Sequence, residues 1–313
     1  MSGLEKRPLG PTGFEVTTLG FGAMELRGTR HRNPRPLEPG QAGRVLNAVL
    51  DAGITFIDTS IDYGESEEHI GRSIAHRRDE YVLASKCGCP VNADDYVDAP
   101  PGPLPHDYSP SNIRAGAEQS LRRLRTDHLD LVQLHIWPTV EEIRRDDVIA
   151  TLTTLRDEGK IRSFGISSTL PNMWDHIELG VFAAFQVPFS AIEPEHSEAI
   201  TAAAAAGAGI IVRGGVAKGS PDRIRAGKTN VWQTWEAARL DELLEHGERR
   251  VDLLLRYVLA DPRVSTVIVG TASPEHVHDN VRTATRPPLC AEVRAEIDRR
   301  VAEATGRVSG AAS

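Results

Sequence analysis

The sequence predicts a closed (β/α)8 barrel, or TIM barrel, of the α/β class, and three observations support that fold. After one N-terminal β-hairpin, eight short apolar runs alternate with eight segments of helical periodicity, which is typical of a parallel sheet. Eight such units in a chain of 313 residues fit a closed barrel better than an open doubly wound sheet. The first predicted strand is also not followed by the G-x-G-x-x-G motif that marks a Rossmann fold.

The predicted elements follow one another without a gap that could be a linker. Turn residues at Gly10-Pro11 and Thr12-Gly13 indicate the hairpin, and the first barrel strand follows it. The later predicted strands cover residues 54–58, 81–86, 129–135, 161–167, 182–187, 208–214 and 264–270. The predicted helices cover residues 40–52, 65–76, 110–124, 140–158, 172–179, 202–206, 249–259 and 290–304, with one more beginning at residue 274.

Domain organisation follows from this order. We expect one domain over residues 1–313, with a core at about 7–285, a C-terminal helix at about 290–304 and a disordered tail at 305–313. Two long segments, 88–108 and 214–232, are predicted to be loops. We expect them to cover the mouth of the barrel and to set specificity there.

Composition excludes several classes of protein. The net charge of -8 argues against a general nucleic-acid binder, which would have a basic surface. Three cysteines give no disulfide framework, and we interpret Cys87 and Cys89 as structural. The N-terminus lacks the apolar stretch of a signal peptide, and no run is long enough to span a membrane. We therefore expect a cytoplasmic protein with no membrane partner.

Four ionisable residues fall where barrel enzymes keep their active sites, at the C-terminal ends of the strands. Asp58 ends the second predicted strand and Tyr63 lies in the loop after it. Lys86 and His135 end the third and fourth strands. Each has an ordinary alternative role, as a turn carboxylate, a rim aromatic, a surface lysine or a buried histidine. Their placement on three consecutive strands favours a catalytic site instead.

These four side chains suit the reduction of a carbonyl group. A tyrosine has a pKa of about 10, and we expect the Lys86 ammonium to lower the pKa of Tyr63. Asp58 can keep Lys86 charged and oriented, and His135 can hydrogen-bond the carbonyl oxygen. Hydride addition to the carbonyl carbon leaves an alkoxide, which Tyr63 can protonate.

Several motifs make the chain similar to the aldo-keto reductases over about residues 7–285. They are LGFGAM, GITFIDTSIDYGESE, ASK, SLRRLRTDHLDLVQLH, GKIRSFGIS, FQVPFS and VIVGTASPEHVHDN. The resemblance implies a barrel with the hairpin across its bottom and a nicotinamide cofactor. It also implies that Asp58, Tyr63, Lys86 and His135 are the family's catalytic tetrad, with Tyr63 as the general acid.

The resemblance further implies contacts to the nicotinamide half of the cofactor. Ser167, Ser168 and Gln186 would hold the carboxamide, although the family usually has Asn where this chain has Ser168. Arg213 stands where the family usually has a stacking tyrosine; it can stack through its guanidinium plane, or it can contact phosphate instead. The other residues implied to contact this half are Gly22, Ala23, Asp58, Gly214 and Gly215.

The adenosine half would lie against the loop after the last strand and the helix that follows. The implied contacts are Gly270, Thr271, Ser273, His276 and Asn280, and the backbone amides at that helix start suit an anion. Relatives often have a basic residue where this chain has Ala272, and an arginine where it has His276. NADPH is expected from the resemblance, with NADH as the alternative.

The predicted substrate is a small aldehyde, ketone or sugar, in a pocket lined by Met24, Tyr63, His135 and Trp137. A nucleotide-binding regulatory subunit of the same fold with little turnover is the alternative function. A metal-dependent barrel would need several ligands at strand ends, and one histidine lies at such an end, so we predict no catalytic metal. We expect a monomer or a small homo-oligomer.

Overall fold

Eight parallel strands form the centre of the molecule in a computed structural model, which describes residues 3–91, 105–219 and 231–306. The strands are β3 (Leu19–Gly22), β4 (Phe56–Asp58), β5 (Val82–Cys87), β6 (Leu129–Leu134), β7 (Ile161–Ser167), β8 (Ala184–Pro188), β9 (Gly209–Arg213) and β10 (Thr266–Val269). They are hydrogen-bonded in chain order, and β10 pairs with β3 to close the barrel. The predicted (β/α)8 barrel is therefore confirmed.

An N-terminal hairpin closes one end of this barrel. Its strands, β1 (Lys6–Pro8) and β2 (Glu15–Thr17), pair antiparallel. Leu9 and Val16 of the hairpin are fully buried in a cluster with side chains from the beginnings of the barrel strands, among them Phe56. Gly10 has a φ of 54° and approaches β9 so closely that a Cβ would lie 2.3 Å from the Gly209 nitrogen. The hairpin thus covers the N-terminal end and leaves the C-terminal ends of the strands for the site.

Helices surround the barrel. They are α1 (Gln41–Asp51), α2 (Ser66–Ser73), α3 (Pro110–Leu124), α4 (Val140–Arg145), α5 (Val148–Asp157), α6 (Met173–Leu179), α7 (Ser197–Ala205), α8 (Trp232–Ala237), α9 (Arg250–Leu259), α10 (Pro274–Ala284) and α11 (Ala291–Thr305). Within the described ranges, none of them combines the length and the apolar character needed to cross a bilayer.

Three predicted helices have different bounds in the structure. The single helix predicted at 140–158 is two helices, because Asp147 between α4 and α5 has a left-handed φ of 48°, a conformation that aspartate adopts more readily than most residues. The helix predicted at 65–76 ends at Ser73 and continues as a 3-10 segment over 75–80. The helix predicted at 202–206 is α7, which begins earlier, at Ser197.

Helix α8 was not predicted. It begins at Trp232, the last residue of the predicted 214–232 loop, and Trp232 and Trp235 bury their side chains there.

Parts of the two predicted loops and of the tail, residues 92–104, 220–230 and 307–313, lie outside the described residues. Helix α11 runs to Thr305, slightly beyond the predicted end of the C-terminal helix.

Strand register sets the positions of the site residues. Asp58 pairs with Ala84, and Lys86 pairs with Gln133. Side chains two residues apart on a strand point to the same side. Lys86 therefore points in the same direction as Ala84, into the barrel interior and next to Asp58. The C-terminal ends of β4, β5 and β6 therefore bring their polar side chains together.

Candidate active site

A buried ion pair lies at the centre of the site. The Lys86 Nζ donates to Asp58 Oδ2 at 2.7 Å and to the Thr59 carbonyl oxygen at 2.8 Å. The Lys86 side chain is fully buried and that of Asp58 is 2% exposed. Asp58 and Tyr63 together raise the pKa of Lys86 against the opposing effect of burial, so the ammonium keeps its charge. Two acceptors among the described residues leave one Lys86 N–H for another partner.

Two glutamines complete the hydrogen bonding of the carboxylate. Gln133 Nε2 on β6 and Gln186 Nε2 on β8 both donate to Asp58 Oδ1, at 2.9 and 2.8 Å. Both glutamines are buried. A buried charge is tolerated when it is paired and its lone pairs are occupied, and here both carboxylate oxygens have donors. Asp58 is thus held rigidly for its role as partner of Lys86.

Tyr63 reaches the same place from the loop after β4. Its backbone N–H donates to the Ser60 carbonyl in a tight turn. Gly64 follows with a φ of 51°, and a Cβ there would lie 2.3 Å from the Arg27 carbonyl oxygen. This close approach requires glycine after Tyr63 and fixes the turn that presents the phenol. The Lys86 Nζ lies 4.9 Å from the centre of the Tyr63 ring, within cation–π range.

The expected lowering of the Tyr63 pKa was wrong in its net direction. Burial raises the pKa of Tyr63 to about 12, although the Lys86 charge acts in the predicted direction and lowers it. Burial disfavours the charged phenolate because it removes that group from water. The attraction of the Lys86 ammonium does not compensate for this free-energy cost, since Lys86 is already paired with Asp58. The Tyr63 phenol therefore keeps its proton throughout the neutral range.

His135 follows the last residue of β6 and faces Tyr63, with 6.0 Å between the ring centres and the rings nearly perpendicular. Burial is the main reason that the pKa of His135 is lowered to about 3, which makes the ring neutral near pH 7. Its Nδ1 lies 3.0 Å from Cys89 Sγ and 3.6 Å from Asp62 Oδ1. His106 packs edge-on against the same ring at 5.5 Å.

The backbone after His135 is unusual. Ile136 and Trp137 have positive φ angles of 56° and 29°, which are uncommon for large side chains. The hydroxyl of Tyr108 donates to the carbonyl oxygens of His135 and Ile136, and it ties this turn to the segment before α3. Trp137 is 38% exposed at the same end of the barrel, as expected for a side chain at the rim of a substrate pocket.

The predicted carboxamide contacts lie at the ends of β7 and β8. Ser168 is fully buried, and its Oγ lies 2.8 Å from His176 Nδ1 on α6. His176 Nε2 lies 2.7 Å from the Pro138 carbonyl oxygen. A carbonyl only accepts, so Nε2 carries the proton and Nδ1 accepts from the Ser168 hydroxyl. The Ser168 hydroxyl proton is thus committed to His176, and its oxygen, at 0% exposure, would have to be uncovered before it could accept from a ligand N–H.

The other carboxamide residues lie beside this serine. Ser167 and Gln186 are both buried and are paired in register between β7 and β8. The Ser168 N–H donates to the Gln186 carbonyl oxygen at 2.9 Å. A primary amide both donates and accepts, and these three residues offer both kinds of partner.

Arg213 ends β9. Burial lowers its pKa, and the charges of Glu193 and Asp58 oppose that effect. The Arg213 charge in turn helps to lower the pKa of His135, so the guanidinium lies near the tetrad. Gly214 follows with a φ of 73° and open space where a Cβ would be, and Gly215 is buried next to it.

The residues predicted to hold the nicotinamide ribose lie across the barrel mouth. Gly22 pairs with Asp58 at the ends of β3 and β4. The Ala23 carbonyl oxygen accepts from Ser66 Oγ, and Met24 follows in a half-buried position. Gly270 approaches the end of β3 so closely that a Cβ would lie 2.8 Å from the Gly22 carbonyl oxygen.

The predicted adenosine contacts lie at the start of α10. Ser273 caps this helix by accepting from the His276 N–H, and Thr271 Oγ1 lies 3.3 Å from His276 Nδ1. Ser273 also donates to Glu275 at 2.6 Å. The half-buried Asn280 lies farther along the same helix.

Sequence reasoning missed six residues at the site. Asp62 and Cys89 lie one and three positions from predicted catalytic residues, so adjacency to a strand end was an available signal. No local sequence pattern identifies Gln133 or His176 as site residues. Strand register brings Gln133 to the site, and the packing of a helix brings His176 there. The missed set is Asp62, Cys89, His106, Tyr108, Gln133 and His176.

The chain is similar to known proteins over nearly its whole length. A model of the Aldo/keto reductase family matches residues 18–302. The uncharacterized oxidoreductase YqkF of Bacillus subtilis is 29% identical over 304 residues, which cover 92% of this chain and 94% of that protein. L-galactose dehydrogenase of Arabidopsis thaliana is 26% identical over 309 residues, with 91% and 89% covered. The holo structure of aldo-keto reductase AKR11C1 from Bacillus halodurans has a TM-score of 0.81 and 30% identity, and the match covers 95% of this chain and 96% of that one.

Proposed function

Because this chain belongs to the aldo/keto reductase family and is an NAD(P)-dependent oxidoreductase, we propose that it reduces an aldehyde, ketone or sugar carbonyl with Tyr63 as the proton donor. The observation that carries the proposal is the centre of the Tyr63 ring 4.9 Å from the Nζ of a buried, charged Lys86, with His135 against the same ring. The family acts on small carbonyl compounds, and L-galactose dehydrogenase among its relatives supports including sugars.

Each of the four side chains has its own role in the proposed reaction. The phenol of Tyr63 and the neutral imidazole of His135 each offer a proton to the carbonyl oxygen, which fixes its position and polarises the C=O bond. The bound nicotinamide supplies the hydride to the carbonyl carbon. Tyr63 then gives its proton to the alkoxide, which is far more basic than a phenolate, so a pKa of about 12 still favours transfer. Lys86 stabilises the resulting phenolate, and Asp58 keeps Lys86 in place.

The residues present fit a nicotinamide cofactor. Ser168 and Gln186 would hold the carboxamide. His176 takes the serine's own proton, so Ser168 Oγ would serve as an acceptor once cofactor entry uncovers it, and Gln186 would provide a second polar partner. The guanidinium of Arg213 acts electrostatically on His135 and is itself affected by Asp58, and this nearness to the tetrad supports the stacking role over the phosphate role. Gly214, with no Cβ, leaves its backbone accessible to the ligand.

We expect NADPH as the cofactor, as the family resemblance implies, with NADH as the alternative. Ala272 supplies no charge where relatives often have a basic residue. The exposed Glu275 places a carboxylate in the first turn of α10, while Asp279 is paired with Arg249 and Arg282. Ala272 and Glu275 are thus the two features that favour the NADH alternative. The ratio of kcat/KM for the two cofactors decides between them.

The direct test is an absorbance assay. The purified protein is mixed with NADPH or NADH and a panel of reactive aldehydes, ketones and sugars, and loss of the reduced cofactor is followed. We expect turnover with at least one carbonyl compound. Tight cofactor binding without turnover on any member of the panel would instead support the regulatory subunit.

The Ser168 contact has its own expected result. Ser168→Ala removes the acceptor for the carboxamide, and we expect the Kd of the preferred cofactor to rise by about tenfold, the worth of one hydrogen bond at its upper end. The measurement is a fluorescence titration of the variant and the wild type.

ADP-ribose serves as the control ligand, because it lacks the nicotinamide. We expect it to bind equally to both proteins. Equal loss of affinity for both ligands would show that Ser168→Ala disturbs the fold, and no loss for either would remove Ser168 from the cofactor site.

A further inference from the structure

A group of side chains that could bind a metal ion lies around His135, next to the loop after β5. The thiol of Cys89 and the rings of His106 and His135 place their sulfur and nitrogen atoms within 4.8 Å of one another. The shortest separation joins Cys89 Sγ to His135 Nδ1 at 3.0 Å. These side chains come from three separate parts of the chain, so the fold itself gathers them.

Asp62 adds a carboxylate to the same set. Its Oδ1 lies 3.6 Å from His135 Nδ1, and its side chain is 8% exposed. The Ser60 hydroxyl donates to Oδ1 at 2.6 Å and orients the group in the way that outer-shell partners orient metal ligands. One sulfur and two imidazole nitrogens thus lie close to one another, and the Asp62 carboxylate lies beside the His135 nitrogen as a fourth candidate ligand.

We propose that Cys89, His106, His135 and Asp62 form a zinc site whose occupation inhibits the reductase. Mixed sulfur, imidazole and carboxylate ligands in fours are the set that Zn²⁺ prefers. A thiolate and a carboxylate would balance the charge of the ion, and the thiol proton leaves to solvent when the metal binds.

The spacing is compatible with this ion after a small movement. Zinc bond lengths of about 2.0 to 2.3 Å place two tetrahedral ligand atoms about 3.5 Å apart. The Cys89–His135 separation of 3.0 Å is shorter than that value, and all three ligand atoms lie within 4.8 Å of one another. A small movement of the half-buried His106 side chain would therefore bring the set to zinc spacing.

The inhibition rests on the function proposed above. Zinc would hold the His135 ring against Cys89 and place a divalent cation beside Tyr63 and Lys86. His135 could no longer adjust to a carbonyl oxygen, and the charge near the phenol would change. Zinc bound at this site would therefore inhibit the reaction. It would have no part in catalysis, for which we predict no metal.

The first test is a metal titration that needs no activity. Co²⁺, which takes the same ligands as zinc, should bind with one-to-one stoichiometry and give a thiolate-to-cobalt absorption band. Cys89→Ser should lose the band, and His106→Gln should weaken binding by more than about tenfold. Cys290→Ser is the matched control, since Cys290 is exposed and far along the chain, and it should keep the wild-type spectrum.

The second test adds Zn²⁺ to the reductase assay. Low micromolar Zn²⁺ should inhibit the wild type and Cys290→Ser, and a chelator should restore the rate. His106→Gln should reduce the carbonyl compound at the same rate with and without Zn²⁺, each rate being compared with that variant's own metal-free rate. Zinc inhibition that is unchanged in His106→Gln, or a cobalt spectrum unchanged in Cys89→Ser, would overturn the site. If no carbonyl compound is reduced, the proposed function fails while the titration still decides the metal site.

Discussion

Tyr63→Phe is expected to lower kcat by about 10²- to 10⁴-fold, the usual contribution of a positioned general acid. The substitution removes one oxygen and keeps the ring that packs 6.0 Å from His135 and under the Lys86 ammonium. The alkoxide would then have no phenol to protonate it. The measurement is the steady-state rate with the best carbonyl compound found in the assay.

Cofactor binding in the same variant separates chemistry from structure. None of the proposed carboxamide or adenosine contacts involves the Tyr63 oxygen, so the cofactor Kd should match that of the wild type. A variant that binds cofactor normally and turns over at the wild-type rate would refute the assignment of Tyr63 as proton donor.

Lys86→Met should affect both activity and stability. The substitution leaves the Asp58 carboxylate buried with the two glutamine donors and no cation. Breaking a buried ion pair by removing one partner costs about 3–5 kcal/mol in the free energy of unfolding. The phenolate of Tyr63 would also lose the charge that stabilises it, so we expect an almost inactive enzyme. Denaturant unfolding and the absorbance assay measure the two effects.

A double variant distinguishes the two consequences of that change. Asp58→Asn with Lys86→Met removes both charges, and the Asn oxygen can still accept from Gln133 and Gln186. Most of the lost stability should return, while activity should stay low because the ammonium is absent. A single Lys86→Met variant with a rate within a few-fold of wild type would count against the electrostatic role of Lys86.

The fold could be predicted from the sequence because its signals are local and repeated. Short apolar runs that end at turn residues indicate the strands. Because barrel enzymes keep their active sites at the C-terminal ends of the strands, this pattern then selects Asp58, Lys86 and His135. The bounds of α3, Pro110–Leu124, were predicted to the residue. The break at Asp147 was missed because the flanking residues all have acceptable helix propensity.

The surroundings of the site could not be predicted in the same way. The net direction of the Tyr63 pKa depends on how much water the folded chain excludes, which no spacing reveals. Ser168 was noticeable as a departure from the family, yet its partner His176 lies eight residues on, on a helix that happens to pack behind it. Cys89 was interpreted as structural, and only the folded barrel places it against His135.

The most direct measurement is a crystal structure of the protein with oxidised cofactor and an alcohol or ketone that occupies the substrate pocket. The account predicts that the ligand oxygen lies within hydrogen-bond distance, about 2.6–3.2 Å, of the Tyr63 hydroxyl, with His135 as its second donor and Lys86 behind the phenol. A ligand oxygen held by other groups, with the Tyr63 hydroxyl turned away from it, would contradict the account.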